Sequence, residues 1–414
     1  MSSAGIRPDP ENLLIRGGHL LDPANGVDGV MDLLLLNGRV NAVGKGLSCP
    51  AKTKVINAEG LLVTPGLVDI HAHLFATGGN PEAWAGEYSV YPDNFSFRSG
   101  VTTMVDAGSA GWRNFDFFRT TVIERAKTRV FSMLNISGYG MLGSAAEQYV
   151  PDMNPAKAAM AAEKHSDIVV AVKTAHYEGR DWISVDRTLE AGDISALPVM
   201  VDFGRFVEER PWWRLITEKL RSRDICTHCF RATVPITDEN GIVYPCLRRA
   251  RERGILFDLG HGKGSFLFRN AAPAIQQGFY PDSISTDLHV LSMNGAMMDM
   301  ATTISKCMAL GMPLHDAISR STHRPAVMIG HPELGTLSIG SDADVSLWKI
   351  RKGKFGFKDT VGGRIIGEER LECEMTVRGG EIVWDFGGLD AVDYGEIPGD
   401  AGMMPGEVLI APPR

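Results

Sequence analysis

The order of apolar and polar residues divides the chain into three zones. In residues 1–64, short apolar runs alternate with turns: Leu13–Arg16 before Gly17-Gly18, Met31–Leu36 before Asn37-Gly38, then Arg39–Val43, Lys54–Ile56 and Leu61–Val63. Asn-Gly between apolar runs is a hairpin signal, because both residues tolerate positive φ. This zone reads as a small all-β unit. In residues 65–332 the runs are Leu67–Ile70, Val101–Asp106, Arg129–Ile136, Ile168–Thr174, Leu197–Asp202, Ile225–His228, Gly254–Asp258 and Ser283–Asp287. Helix-like stretches such as Trp112–Lys127, Pro155–His165, Trp212–Arg221 and Leu247–Arg253 lie between them. Strands alternating with helices in this number predict a (β/α)8 TIM barrel, an α/β fold. Short-strand character returns in residues 333–414, at Val345–Trp348, Glu374–Val377 and Glu381–Trp384. The expectation is one β-sandwich built from both termini with the barrel inserted between them. The Gly- and Pro-rich tail after Trp384 is expected to lie loosely on the surface.

A barrel of this kind gathers its chemistry at the C-terminal ends of its strands. The first run ends in His71 and His73, which face the same side of a strand because side chains alternate. Such a pair can deliver two nitrogens to one metal ion, although two half-solvated polar residues at a strand end would look the same. Recurrence decides between them. The fourth run carries Lys173, the fifth ends in Asp202, the sixth in His228 and the eighth in Asp287. Imidazole and carboxylate suit zinc-class metals. Lys173 can ligate only if neutral or converted by CO2 to a carbamate, whose two oxygens could bridge two ions. Metal lowers the pKa of water from about 15.7 to about 7, giving a hydroxide nucleophile near neutral pH. Asp287 could hold that hydroxide and pass its proton to a leaving group. Each residue also has a plainer reading: a snorkelling lysine, a core histidine, a helix cap at Asp287. Gly260–Ser265 departs from the P-loop pattern, since Lys263 is followed by Gly264. Its glycines, Gly262 among them, would let backbone amides and His261 approach a substrate oxygen, or merely form a flexible loop. His176, Tyr177 and His289 are further pocket-lining candidates. Met293–Met300 reads as packing.

Composition narrows the class. The chain has 414 residues, 44% of them hydrophobic and 22% charged, as expected of a globular protein with a large core. A net charge of −8 argues against nucleic acid or an anionic membrane surface as partner. Six cysteines in such a length read as reduced thiols, and Cys226-x-x-Cys229 lacks the second pair a structural zinc site would need. Residues 1–12 have no apolar signal core, and no run of about 18 apolar residues is present, so a cytoplasmic setting is expected.

The stretch Pro65–His73 is similar to the signature first strand of the amidohydrolase superfamily, in its dihydroorotase-like and dihydropyrimidinase-like branch. Gly340–Val345 resembles that family's returning β-sandwich segment, so the resemblance spans nearly the whole chain. It implies a divalent metal centre, usually zinc and usually of two ions. His71 and His73 match the ligands of the more buried ion, Lys173 the carboxylated bridging lysine, His228 a ligand of the second ion, and Asp287 the aspartate that is both ligand and general acid/base. Two departures stand out. The family has histidine at the end of the fifth strand, where this chain has Asp202. Dihydroorotases also carry an arginine two residues after the second histidine, where this chain has Phe75. With motifs like Thr227–Phe230 and Asp258–Gly262, the chain resembles a subgroup whose members are labelled dihydroorotase or deacetylase. The resemblance thus implies a small-molecule amide, cyclic amide or ester as substrate, with N-acyl amino acids and acylated hydroxy acids favoured over dihydroorotate. Barrels of this family commonly associate, so a homo-oligomer is expected. Other readings are a non-catalytic scaffold of the same fold or a mononuclear deaminase.

Overall fold

Seven parallel strands curl around the middle of the chain in sequence order: β6 (Leu67–Ala72), β7 (Val101–Gly111), β8 (Arg129–Asn135), β9 (Val169–Thr174), β10 (Val199–Val201), β11 (Ile225–Cys226) and β12 (Leu256–Phe257). They belong to a computed structural model that describes residues 12–410; the expectation that residues 1–12 hold no apolar signal core falls, but for Asn12, outside the described residues. Nearly every residue of β6 to β11 is buried, as expected of strands covered on both faces.

The eighth apolar run, Ser283–Asp287, is not a regular strand. It lies between β12 and β6 and joins them through isolated bridges, Asp258 with Ser283 and Ala72 with Leu288. Its amides are diverted from a ladder. Ile284 N–H donates to the Arg320 carbonyl at 2.8 Å and Thr286 N–H to Asp69 Oδ1 at 3.1 Å. The ring therefore closes through bridges and side-chain bonds. Two of the expected outer helices are also shorter than their polar pattern suggested. Phe115–Phe118 and Trp212–Arg214 each run directly into a wider, π-type turn, at 119–123 and 215–219.

Strands from both ends of the chain form a second, mixed sheet. Its members are β1 (Leu13–Asp22), β2 (Val27–Leu36), β3 (Arg39–Gly44), β4 (Lys54–Asn57) and β5 (Leu62–Pro65), with β13 (Val345–Lys358), β14 (Arg364–Arg378) and β15 (Glu381–Asp385). Asn37 and Gly38 make the turn between β2 and β3 with φ of 53° and 72°, as an Asn-Gly hairpin requires. The two ends meet where β5 pairs antiparallel with β13, Pro65 opposite Val345. Trp348, fully buried on β13, donates its indole N–H to Thr64 Oγ1 at 3.0 Å. That bond ties the sheet to the residues leading into β6, and so to the site. Within the Met-rich segment Met297 and Met300 are buried and Met298 is exposed. Among the described residues no helix is long and apolar enough to cross a membrane.

Candidate metal centre

The C-terminal ends of the parallel strands surround a cavity of about 270 Å³. His71, on β6, and His73, just beyond it, both reach that cavity, as do Lys173, Asp202, His228 and Asp287. The closest grouping is His71, His73 and Asp287, whose ligand atoms all lie within 4.8 Å of one another. Asp287 Oδ1 is 3.2 Å from His73 Nε2 and 3.8 Å from His71 Nε2.

The imidazoles are oriented from behind. His71 Nδ1 lies 3.1 Å from Asp258 Oδ2 and 2.9 Å from the Thr227 hydroxyl, which itself donates to Asp258 Oδ2 at 2.7 Å. A carboxylate only accepts, so the N–H sits on Nδ1 and leaves the Nε2 lone pair toward the cavity. His228 Nδ1 donates to the Gly260 carbonyl at 2.8 Å, which turns Nε2 toward the cavity and Asp202. His73 Nδ1 meets Ser109 Oγ at 3.0 Å. Ligating histidines are characteristically held this way, through the nitrogen that does not bind metal.

Charge inside the site follows from burial and proximity. Burial, reinforced by Lys173, lowers His71 to about 4, so the imidazole is neutral at physiological pH. Burial alone would raise Asp287, but His73, His71, His289 and His228 outweigh it and hold the carboxyl well below the usual range. Asp202 is likewise carried down by His228, His176 and Arg231 against its burial. Lys173 is fully buried, and burial lowers its pKa against the pull of Asp202 and Asp287. Its Nζ meets His71 Nε2 at 3.4 Å and Met200 Sδ at 3.2 Å, and no carboxylate forms an ion pair with it among the described residues. The donor set therefore fits a divalent ion: imidazoles whose Nδ1 atoms are engaged behind, a carboxylate held in its ionised form, and a buried lysine that makes no ion pair among the described residues.

Two backbone features permit this density. Gly260 and Gly262 have φ of +50° and +51°. A Cβ on Gly260 would stand 2.7 Å from His228 Nδ1, and one on Gly262 would overlap Asp287 Oδ2. Only glycine lets the chain pass so close.

Three sequence expectations need correction here. The amides of Gly260–Gly262 do not face a substrate: Gly260 N–H donates to Ser285 Oγ, and those of His261 and Gly262 donate to the Ser285 and Thr286 carbonyls. His261 does not line the cavity either. It is wholly buried behind it, with Nε2 2.8 Å from Lys306 Nζ and its ring stacked on Phe266. Tyr177 is buried with its hydroxyl donating to Asp181 at 3.1 Å, also away from the cavity. His176 and His289 do line it. The cap of helix 290–293 is His289, not Asp287. Phe75 is core, packed on Phe118 with ring centres 4.8 Å apart.

Sequence reading passed over Trp84 and Arg231, which line the cavity, and Asp258 and Glu147, which hold its histidines; Lys263, Gly264 and Ser265, in the loop it singled out, line the cavity too. Asp258 was within reach, since it ends the seventh apolar run as Asp287 ends the eighth. Trp84 lies in an irregular loop and Glu147 in a single 3-10 turn, Ala146–Gln148, and neither stretch is long enough to carry a periodic signal.

Residues 54–119 match the amidohydrolase family. A deacetylase of Brucella anthropi is 33% identical over 370 residues, covering 86% of this chain and 88% of the relative. A solved adenine deaminase superposes with a TM-score of 0.81 at 27% identity, covering 91% of this chain and 100% of that one. A solved dihydroorotase gives 0.80 at 28% identity, covering 90% and 99%. The chain belongs to the amidohydrolase superfamily, in its dihydroorotase-like branch. It is a metal-dependent hydrolase, and its similarity to deacetylase and dihydroorotase relatives weighs against the scaffold reading.

Proposed function

We propose that the enzyme hydrolyses an amide, cyclic amide or carboxylic ester of a small molecule, with N-acyl amino acids and acylated hydroxy acids favoured over dihydroorotate. The observation that carries this reading is the meeting of His71, His73 and Asp287 at one point, with the Nδ1 of each histidine engaged behind. His71, His73 and Asp287 would hold a divalent ion, with zinc the first choice for a nitrogen and oxygen set. A bound ion supplies Lewis acidity and lowers the pKa of water from about 15.7 to about 7. Lys173, as a carbamate, would add oxygen ligands between this position and a second one beside Asp202 and His228.

The chain's own groups do the rest. Asp287, ionised and at the cavity wall, accepts the proton of the attacking water at a carboxylate oxygen and returns it to the leaving nitrogen or oxygen. Arg231 and Lys263 at the cavity wall supply positive charge for a substrate carboxylate, and Trp84 offers a flat apolar face. The deacetylase relative supports acyl transfer to water. Phe75, buried in the core, provides no cation where dihydroorotases have one, which weighs against dihydroorotate.

The test is a screen of N-acyl amino acids, cyclic amides and acylated hydroxy acids with metal-loaded enzyme and with Asp287→Asn. Turnover of at least one class, reduced about 10²–10⁴-fold in the variant, is expected. An Asp287→Asn enzyme with undiminished kcat would remove Asp287 from the chemistry.

A further inference from the structure

Asp202 follows β10 where the family resemblance places a histidine, and a nitrogen reaches that spot from another element. His176, two residues beyond β9, brings Nε2 to 3.5 Å from Asp202 Oδ2. His228 Nε2 stands 3.5 Å from the same oxygen. The carboxylate thus lies between two imidazoles that both line the cavity.

His176 is built into this position from behind. Its Nδ1 donates to Glu147 Oε2 at 2.9 Å, and Glu147 is only 3% exposed. Gln148 Nε2 donates to the His176 carbonyl at 2.9 Å, so neighbouring residues grip both ring and backbone. The backbone of His176 has φ +54°, a left-handed conformation that non-glycine residues adopt at a cost. His228 shares both features, with φ +58° and its Nδ1 on the Gly260 carbonyl. His289 lines the same cavity without such support: among the described residues its buried Nδ1 has no hydrogen-bond partner. A carboxylate behind the distal ring nitrogen is the arrangement that fixes a metal-ligating histidine.

We propose that His176 is a ligand of a second divalent ion, binding it together with His228 and Asp202 and supplying the imidazole that the end of β10 lacks. The proposal rests on the reading of the site as a metal centre. Two imidazoles and a carboxylate make a set that zinc-class ions accept. The three ligand atoms do not all meet within 4.8 Å as those of His71, His73 and Asp287 do, so an ion would draw them inward around Asp202 Oδ2, which stands 3.5 Å from each imidazole.

The experiment counts ions. Metal-free chain is prepared by chelation, titrated with Zn²⁺ or Co²⁺ and analysed for bound metal, with the Co²⁺ absorption spectrum as a second readout. Thermal melting controls for folding. The expected result is about two ions per chain in the natural protein, with loss of the weaker one and of its share of the Co²⁺ spectrum in His176→Ala. Glu147→Gln, which keeps the shape of the side chain, should weaken that ion by about 10–100-fold. Adding Asp202→His to His176→Ala should restore the second ion. Binding of the second ion by His176→Ala with unchanged affinity and spectrum would overturn the proposal, as would a single ion in the natural protein. A natural protein that binds no ion would instead sink the metal reading itself.

Discussion

At the scale of single residues, the site gathers groups that ordinary sequence positions would keep apart. His176, His228 and Asp287 all have positive φ, at 54°, 58° and 47°. Such conformations cost of order 1–3 kcal/mol each and persist only where the surroundings enforce them. Here the enforcement is visible: Glu147 and Gln148 at His176, the Gly260 carbonyl at His228, and Ser292 Oγ donating to the Asp287 carbonyl at 2.9 Å. Lys173 is the residue whose chemical form matters most. A buried ammonium without a carboxylate partner is costly, whereas a neutral amine is open to CO2. Mass analysis of native, metal-loaded protein is expected to find one CO2 added to the chain at Lys173, and an unmodified lysine there would contradict the carbamate.

At the scale of elements, the strands were legible because buried parallel strands are near-continuous apolar runs with polar residues at their ends. Val101, Arg129 and Ile225 begin strands where their runs begin. The rule that finds ligands at strand ends rests on that same periodicity, and it picked out His71, His73, Lys173, Asp202, His228 and Asp287, all of which reach one cavity. The Gly260–Gly262 segment was misread because its glycines looked like a loop open to substrate. Its amides are instead bonded to the eighth run, and its lack of side chains makes room for His228 and Asp287. Trp84 and Glu147 were invisible because an irregular loop and a single 3-10 turn leave no repeat in the sequence. Gly262→Ala tests the corrected role. The added Cβ overlaps Asp287 Oδ2 and sits at a φ alanine resists. A displacement of about 1 Å can cost about 10²-fold in rate, so a fall in kcat of that order is expected, read from steady-state kinetics. Wild-type kcat in this variant would show that the close approach has no bearing on Asp287.

At the scale of the whole molecule, the two ends of the chain close one sheet, and Trp348, Phe357, Leu371 and Cys373 from it pack into the same core as the barrel. The joint is specific: β5 pairs with β13, and Trp348 reaches back to Thr64, three residues before β6 begins. The sequence's strand-rich termini announced this partnership, while the irregular closure of the ring by Ser283–Asp287 was not foreseeable, because it depends on Asp69 and Arg320 from elsewhere in the chain. The closure matters, since it sets Asp287 opposite His71 and His73. The claim on which the account stands is that these three residues hold a divalent ion that hydrolysis requires. Its most direct test is to remove bound metal with a chelator and follow both metal content and hydrolysis of the best substrate from the acyl-compound screen. The account predicts that activity falls with the metal and returns when Zn²⁺ is restored; a chain stripped of metal that hydrolyses the substrate at its full rate would contradict it.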